Sequence, residues 1–223
     1  GPMHRLLQGD VGSGKTVVAV PALLTAVRGG HQGAFMAPTE VLAEQHYLGV
    51  AELLDGMTVP DPATLLGHRP LKVDLLTNRT TAAERRRIAA ELVAGGVDVL
   101  IGTHALIQEG VEFGSLGVVV IDEQHRFGVG QRLMLASKGK RAPHVLAMTA
   151  TPIPRTLTLA QYGELDVSKL DELPPGRQAI DTVVMGQEKL AALVDRLAAQ
   201  MAEGRQAYWV CPMEMSTKPE CLQ

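Results

Sequence analysis

An α/β fold built on a parallel sheet is what this 223-residue sequence predicts, on three observations. Gly9 to Thr16 reads G-D-V-G-S-G-K-T, a complete phosphate-binding loop, set between a short apolar strand at Leu6-Leu7 and a helix opening Val17-Val18-Ala19-Val20. Val118-Val119-Val120-Ile121 is an unbroken β-branched run, suited to a parallel strand buried on both faces, and it closes on Asp122 and Glu123. Strand-then-helix units recur along the chain, which argues for a sheet covered by helices on both faces.

Apolar runs place strands near Arg5–Gln8, Gln32–Ala37, Val73–Leu76, Asp98–Ile101, Gly117–Ile121 and His144–Met148. Helices are expected over Lys15–Val27, Thr39–Leu54 and Thr81–Ala94, with a shorter one after Pro152; Gly29-Gly30 ends the first. Asp55 to Pro70, rich in proline and glycine, reads as a surface loop. Leu173-Pro174-Pro175-Gly176 punctuates the chain as a linker. Beyond it, a strand over Ile180–Met185, a helix over Gln187–Ala202 and a strand over Gln206–Cys211 are expected. The predicted organisation is a first domain over 1–173, a linker over 174–177 and an incomplete second α/β domain over 178–223. A strand, a helix and a strand bury too little to form a core alone.

Each residue type in the loop has a task in holding a triphosphate such as ATP. Gly9, Gly12 and Gly14 permit positive φ and bring backbone N–H groups close to phosphate oxygens; Asp10, Val11 and Ser13 complete the loop. Lys15 places a point charge at the β- and γ-phosphates, and the Thr16 hydroxyl is a ligand for Mg²⁺. The start of the following helix adds partial positive charge. Asp122 and Glu123 fall at the C-terminal end of their strand, where open α/β sheets bind ligands. After such a loop they read as a metal-holding Asp122 and a Glu123 that polarises the attacking water.

Composition sets bounds. Hydrophobic residues make up 46% and aromatics 3%, so the core should consist mainly of Val, Leu, Ile and Ala. Cys211 and Cys221 show no metal spacing and fit a reducing cytoplasm. No apolar stretch reaches the ~18–20 residues of a membrane span and no signal segment opens the chain, so no membrane partner is expected. The net charge of −3 does not itself suggest a nucleic-acid binder, though local contacts rather than totals set phosphate affinity. The Arg85-Arg86-Arg87 run lies on a helix that Thr81 and Glu84 can start with a capping box, which favours a solvated face over a DNA patch.

Five segments in order carry a resemblance: Gly9–Thr16, P-T-E-V-L-A-E-Q-H (Pro38–His46), I-G-T-H-A-L-I-Q-E (Ile101–Glu109), I-D-E-Q-H-R-F-G-V-G-Q-R (Ile121–Arg132) and M-T-A-T-P-I-P-R-T-L (Met148–Leu157). Together they resemble the motifs of superfamily 2 helicases, and their wording is similar to the RecG family of ATP-dependent DNA helicases, which remodel branched DNA and stalled forks. D-E-L-P-P-G-R (Asp171–Arg177) and G-R-Q-A-Y-W-V-C (Gly204–Cys211) extend the likeness to roughly residues 3–211. The Mfd family of translocases shares much of the motif after the Asp122-Glu123-Gln124-His125 segment.

What the resemblance implies is a RecA-like P-loop domain using ATP and Mg²⁺, followed by the start of a second such domain. Gln124 and His125 are implied sensors that link the nucleotide to Thr149, Ala150 and Thr151. Pro38-Thr39-Glu40 and Gly102-Thr103-His104 are implied contacts to the DNA sugar-phosphate backbone, although each Thr is equally suited to plain helix capping. A forked or branched DNA partner is implied, and a monomer for the intact family. The chain departs from the family at Thr77-Asn78-Arg79-Thr80, where Thr-Gly-Ser is usual. It departs again after Pro212, where an acidic helical stretch gives way to Met213–Pro219. Complete superfamily 2 helicases place ATP between two RecA-like domains, and loss of a finger arginine typically costs ~10³–10⁵ in rate. Weak Mg-ATP binding, slow hydrolysis or none, and no unwinding by this chain alone are therefore expected. An Mfd-type translocase core and a non-catalytic nucleotide-binding module are the alternatives.

Overall fold

The computed structural model describes residues 1–123, 126–127, 129–139, 141–151, 166–172 and 180–210. Two compact units divide the chain, Gly1–Arg177 and Gln178–Gln223. In the first unit, seven strands among the described residues form one sheet: β1 (His4–Gly9), β2 (Gln32–Met36), β5 (Val73–Leu76), β6 (Val99–Gly102), β7 (Leu116–Ile121), β8 (His144–Thr149) and β9 (Asp166–Leu170). Their order is β5-β6-β2-β7-β8-β1-β9, and every pair is parallel.

The alternation of side chains along these strands sorts the core into two layers. Phe35, Val99, Ile101, Val118 and Val120 face α1 (Lys15–Arg28) and α2 (Glu40–Leu53), meeting Leu23, Val27 and Val50. Ala34, Met36, Leu100, Val119 and Ile121 face the other way, against Ile88 and Leu92 of α3 (Ala82–Ala94) and Leu135 of α4 (Val129–Ala136). A sheet apolar on both faces needs helices on both, which is why the strands read as continuous apolar runs.

Local chemistry sets the helix ends. Thr39 caps α2 by accepting from Leu42 N at 3.3 Å. Thr81 and Glu84 form the capping box of α3, and Gly95 ends that helix at φ 78°. The arginine run divides: Arg85 donates to Gln108 and to Thr77 O, whereas Arg87 forks onto Asp74 at 2.9 and 3.1 Å. The bond to Asp74, opposed by desolvation, holds the Arg87 guanidinium above its ordinary pKa. Asp74 also faces Lys72, so the edge strand β5 is lined with charge.

Several expectations need correction. Asp55–Pro70 is not wholly a loop: β3 (Thr58–Pro60) and β4 (His68–Pro70) pair antiparallel, and buried Val59 joins the α1–α2 core layer. Asp98 does not start β6; its carboxylate takes Arg69 at 2.7 and 2.9 Å and Lys72 N at 2.8 Å, anchoring the hairpin to the residue just before β6. β9 and α4 were not anticipated. In the second unit the helix forms over Leu190–Ala202, but 180–186 and 205–210 make no ladder among the described residues, and Ile180, Val184, Tyr208 and Val210 are exposed. β-branched side chains favour extended backbone, but a strand exists only where a neighbour takes its N–H and C=O groups. The helix expected after Pro152 lies outside the described residues. Among the described residues, no helix is long and apolar enough to cross a membrane.

Buried Gln32 ties three segments together: its amide donates to Leu92 O at 2.8 Å and Val97 O at 2.7 Å, and accepts from Ser115 N at 2.9 Å. Gln32→Leu strands these groups at about 1–3 kcal/mol each, so urea denaturation should show a loss above ~3 kcal/mol. Arg86→Ala, on the exposed face of α3, should stay within about 0.5 kcal/mol of the parent. Acid should act on α3 through Glu84, whose carboxyl is held below its ordinary range by hydrogen bonds from the Thr81 side chain and backbone. A depressed folded pKa contributes stability above the unfolded value of about 4.3, lost as pH falls through the folded value. Glu84→Gln should therefore flatten the fall in Tm below about pH 4.5 and be unstabilised at neutral pH relative to the parent.

Candidate nucleotide site

Parallel pairing delivers the loop, the carboxylates and Thr149 to one edge. β1 pairs with β8, Gln8 opposite Thr149, and β8 pairs with β7, Ala147 opposite Ile121. The chain leaves β1 at Gly9 and enters α1 at Lys15. Between them Gly12 (φ 77°) and Gly14 (φ 88°) take left-handed backbone that L side chains rarely adopt. A Cβ on Gly9 would lie 2.5 Å from Ser13 Oγ and 3.0 Å from Leu170 Cβ, so the loop closes too tightly there for alanine.

The loop interior is rich in donors. Gly14 caps α1 without a side chain, leaving first-turn N–H groups that no intrahelical carbonyl accepts. Lys15 Nζ donates to Gly9 O at 2.8 Å and Asp10 O at 2.9 Å. Among the described residues, the Ser13 hydroxyl oxygen is buried with no hydrogen-bond partner. A buried hydroxyl without a partner, an ammonium and a helix N-terminus converging on a glycine turn form a donor set that fits a phosphate group. Val11 is exposed at the tip, and Thr16 is half-buried at the start of α1.

Asp122 is buried, and both of its oxygens are held: Oδ1 accepts from Glu123 N at 3.0 Å and Oδ2 from His46 Nε2 at 2.7 Å. Glu123 is the one described non-glycine residue at positive φ, 46°. Its Oε2 accepts from Ala150 N at 3.4 Å and from Thr149 Oγ1 at 3.5 Å. Thr149, fully buried, accepts in turn from Thr151 N at 3.1 Å, and Gln8 Nε2 donates to Thr151 O at 3.3 Å. The segments singled out at Gly9–Thr16, Asp122–Glu123 and Thr149–Thr151 are thus neighbours. Gln124 and His125 lie outside the described residues.

Pro38–Glu40 and Gly102–His104 leave the same sheet edge side by side, since Met36 pairs with Gly102. Their threonines differ. Thr39 is exposed and caps α2, whereas Thr103 is buried and accepts from Ala105 N at 3.5 Å to start a short 3₁₀ helix, His104–Ile107. Glu40 pairs with Arg79 at 3.0 Å, and exposed His104 meets Asn78 at 3.3 Å. A Cβ on Gly102 would meet Leu76 O at 2.1 Å, so close strand approach requires glycine there.

Sequence reasoning missed two parts of this region. His46 ends the Pro38–His46 segment, of which only Pro38–Glu40 is implied to touch DNA, and its bond to Asp122 spans 76 residues of chain and leaves no local signal. Lys169, Leu170 and Asp171 line a cleft of about 330 Å³ with Gln8, Gly9, Asp10 and Ala150; the alternating D-V-S-K-L of β9 was the available clue.

Residues 3–160 match the DEAD/DEAH box helicase family. The chain is 54% identical over 211 residues to an ATP-dependent DNA helicase RecG of Synechocystis, covering 95% of this chain and 24% of that protein. Against RecG of Haemophilus influenzae it is 50% identical over 216 residues, covering 95% and 29%. It thus spans roughly a quarter of the length of these relatives. A solved RecG bound to a three-way DNA junction superposes with TM-score 0.70 at 44% identity, covering 91% of this chain and 25% of that one. The helicase MrfA bound to DNA and AMPPNP, at 17% identity and TM-score 0.62, shares the fold.

Left-handed backbone at Glu123 generates a stability test. Glycine adopts this conformation without the ~1–2 kcal/mol cost borne by other L-residues. Glu123→Gly should therefore be more stable than Glu123→Ala by about 1–2 kcal/mol in urea denaturation. Equal stabilities would mean that the residue is not held in this conformation.

Proposed function

The chain belongs to the DEAD/DEAH box helicase family, and on that premise we propose that it is the ATP-binding motor part of a RecG-type DNA helicase. The carrying observation is the contact of Glu123 with Thr149 and Ala150 on one sheet edge beside the phosphate-type loop. Relatives named ATP-dependent DNA helicase RecG support the assignment.

In this reading Gly9–Thr16 wraps the phosphates, with Lys15 turning from the carbonyls of Gly9 and Asp10 onto the β- and γ-phosphates. Thr16 and Asp122 would hold Mg²⁺. Bound ATP and its metal would supply a transferable γ-phosphoryl group with part of its charge already offset. Glu123 orients the attacking water and takes its proton, steered by donors from Thr149 and Ala150. Thr149–Thr151 then carries the state of Glu123 to β1 through Gln8. Gln124 and His125 act as sensors within the same reading.

Pro38–Glu40 and Gly102–His104 grip a DNA strand by its backbone, without reading bases. Thr103 takes part through its backbone, because its hydroxyl is buried and used as a cap. Forked or branched DNA is the proposed partner and the cytoplasm the proposed compartment, with 1–173 as the motor domain, 174–177 as a linker and 178–223 as the start of a second domain.

ATP turnover with and without forked DNA, alongside Lys15→Ala, tests this reading. The expected result is slow turnover that DNA raises and the variant lacks. Binding of a fluorescent ATP analogue should weaken roughly 10- to 100-fold in Lys15→Ala, the equivalent of one lost charge-assisted contact. Unchanged binding in the variant would sink the proposal.

A further inference from the structure

His46 stands apart from the motif roles above. It lies on α2, seven residues after Thr39, so two turns or about 10 Å separate it from the segment proposed to meet DNA. Its ring packs on Phe35 of β2, centroids 4.5 Å apart, and Phe35 is fully buried. The ring is therefore seated on the sheet, with Nε2 directed at Asp122 Oδ2 at 2.7 Å. Side-chain exposures are 13% for His46 and 10% for Asp122, so water competes little for this bond. A carboxylate accepts here, so His46 Nε2 is the donor.

Without His46, Asp122 would be restrained through one oxygen, by Glu123 N from its own strand end. With it, the carboxylate is held from two elements, β7 and α2, and its rotation about the Cβ–Cγ bond is stopped. Groups that hydrogen-bond a metal-binding carboxylate orient it, and removing them typically weakens metal affinity or activity 10- to 100-fold. We infer that His46 is a positioning residue for the metal-binding carboxylate of Asp122, acting from the helix that begins at the candidate DNA segment. This rests on the nucleotide-site reading above.

The test is Mn²⁺ binding in the presence of ADP, read by the electron paramagnetic resonance of free Mn²⁺, for the parent chain, His46→Ala and His46→Gln. Fluorescent ADP binding in EDTA and thermal unfolding are measured on the same samples. Glutamine can bring an amide N–H to the same place, without the ring. The expected result is a 10- to 100-fold weaker Mn²⁺ affinity in His46→Ala with metal-free nucleotide binding unchanged, and recovery in His46→Gln to within about threefold of the parent. Parent-like Mn²⁺ affinity in His46→Ala overturns the inference and leaves the nucleotide site standing. Equal losses in both variants, tracking a lowered Tm, also overturn it, because a packing role would produce them. If the parent takes up no Mn²⁺ with ADP, the nucleotide-site reading fails and the inference falls with it.

Discussion

Parallel hydrogen bonding of β1 to β8 and of β8 to β7 is the constraint on which the rest of the site depends. Parallel strands end on the same side, so the loop after Gly9, the carboxylates after Ile121 and the threonines after Met148 emerge together. The register decides the detail. With Gln8 opposite Thr149 and Ile121 opposite Ala147, the Glu123 side chain comes within reach of Thr149 and Ala150. A slip by one residue would turn every side chain of the slipped strand to the other face, exchanging the two core layers. The apolar packing of Phe35, Val120 and Leu146 on α1 and α2 therefore also locates the polar edge.

At that edge the backbone is least relaxed where the chemistry is densest. Glu123 occupies left-handed space two residues past the end of β7, so the chain turns sharply there. The turn separates two adjacent carboxylates: Asp122 points toward α2 and His46, while Glu123 reaches β8. Two like charges side by side in sequence thus acquire different neighbours, and the surrounding hydrogen bonds hold the strain in place.

Much of this was legible in the sequence. The six expected strands of the first unit form within one residue of their expected ends, as do its first three helices, because apolar runs between glycine, proline and capping residues leave few alternatives. The hairpin at Thr58–Pro70 was hidden by its prolines, which sit at strand ends where the ladder does not need their N–H. Its anchor, Arg69 on Asp98, spans 29 residues and reads locally as two unrelated charges. Asp98 lowers the local cost of that arginine and holds its guanidinium above the usual pKa through their hydrogen bonds. The His46–Asp122 bond was illegible for the same reason, distance along the chain. The expected strands at Ile180–Met185 and Gln206–Cys211 erred differently: propensity was present, but among the described residues 180–186 and 205–210 form no ladder.

The charged margin at β5 bears on how the chain behaves in concentrated solution. An outer strand with free N–H and C=O groups is a template on which another chain can add, the first step toward fibrillar aggregates. β5 is four residues long, and Asp74 in its middle is clamped by Arg87 at 2.9 Å with Lys72 at 3.8 Å. Glu91, held ionised below its ordinary range first by Lys72, extends this fence of opposite charges. An incoming strand would have to strip water from these ions before gaining a single backbone hydrogen bond, so this margin of the sheet resists self-association and salt, by screening the ions, should weaken that resistance.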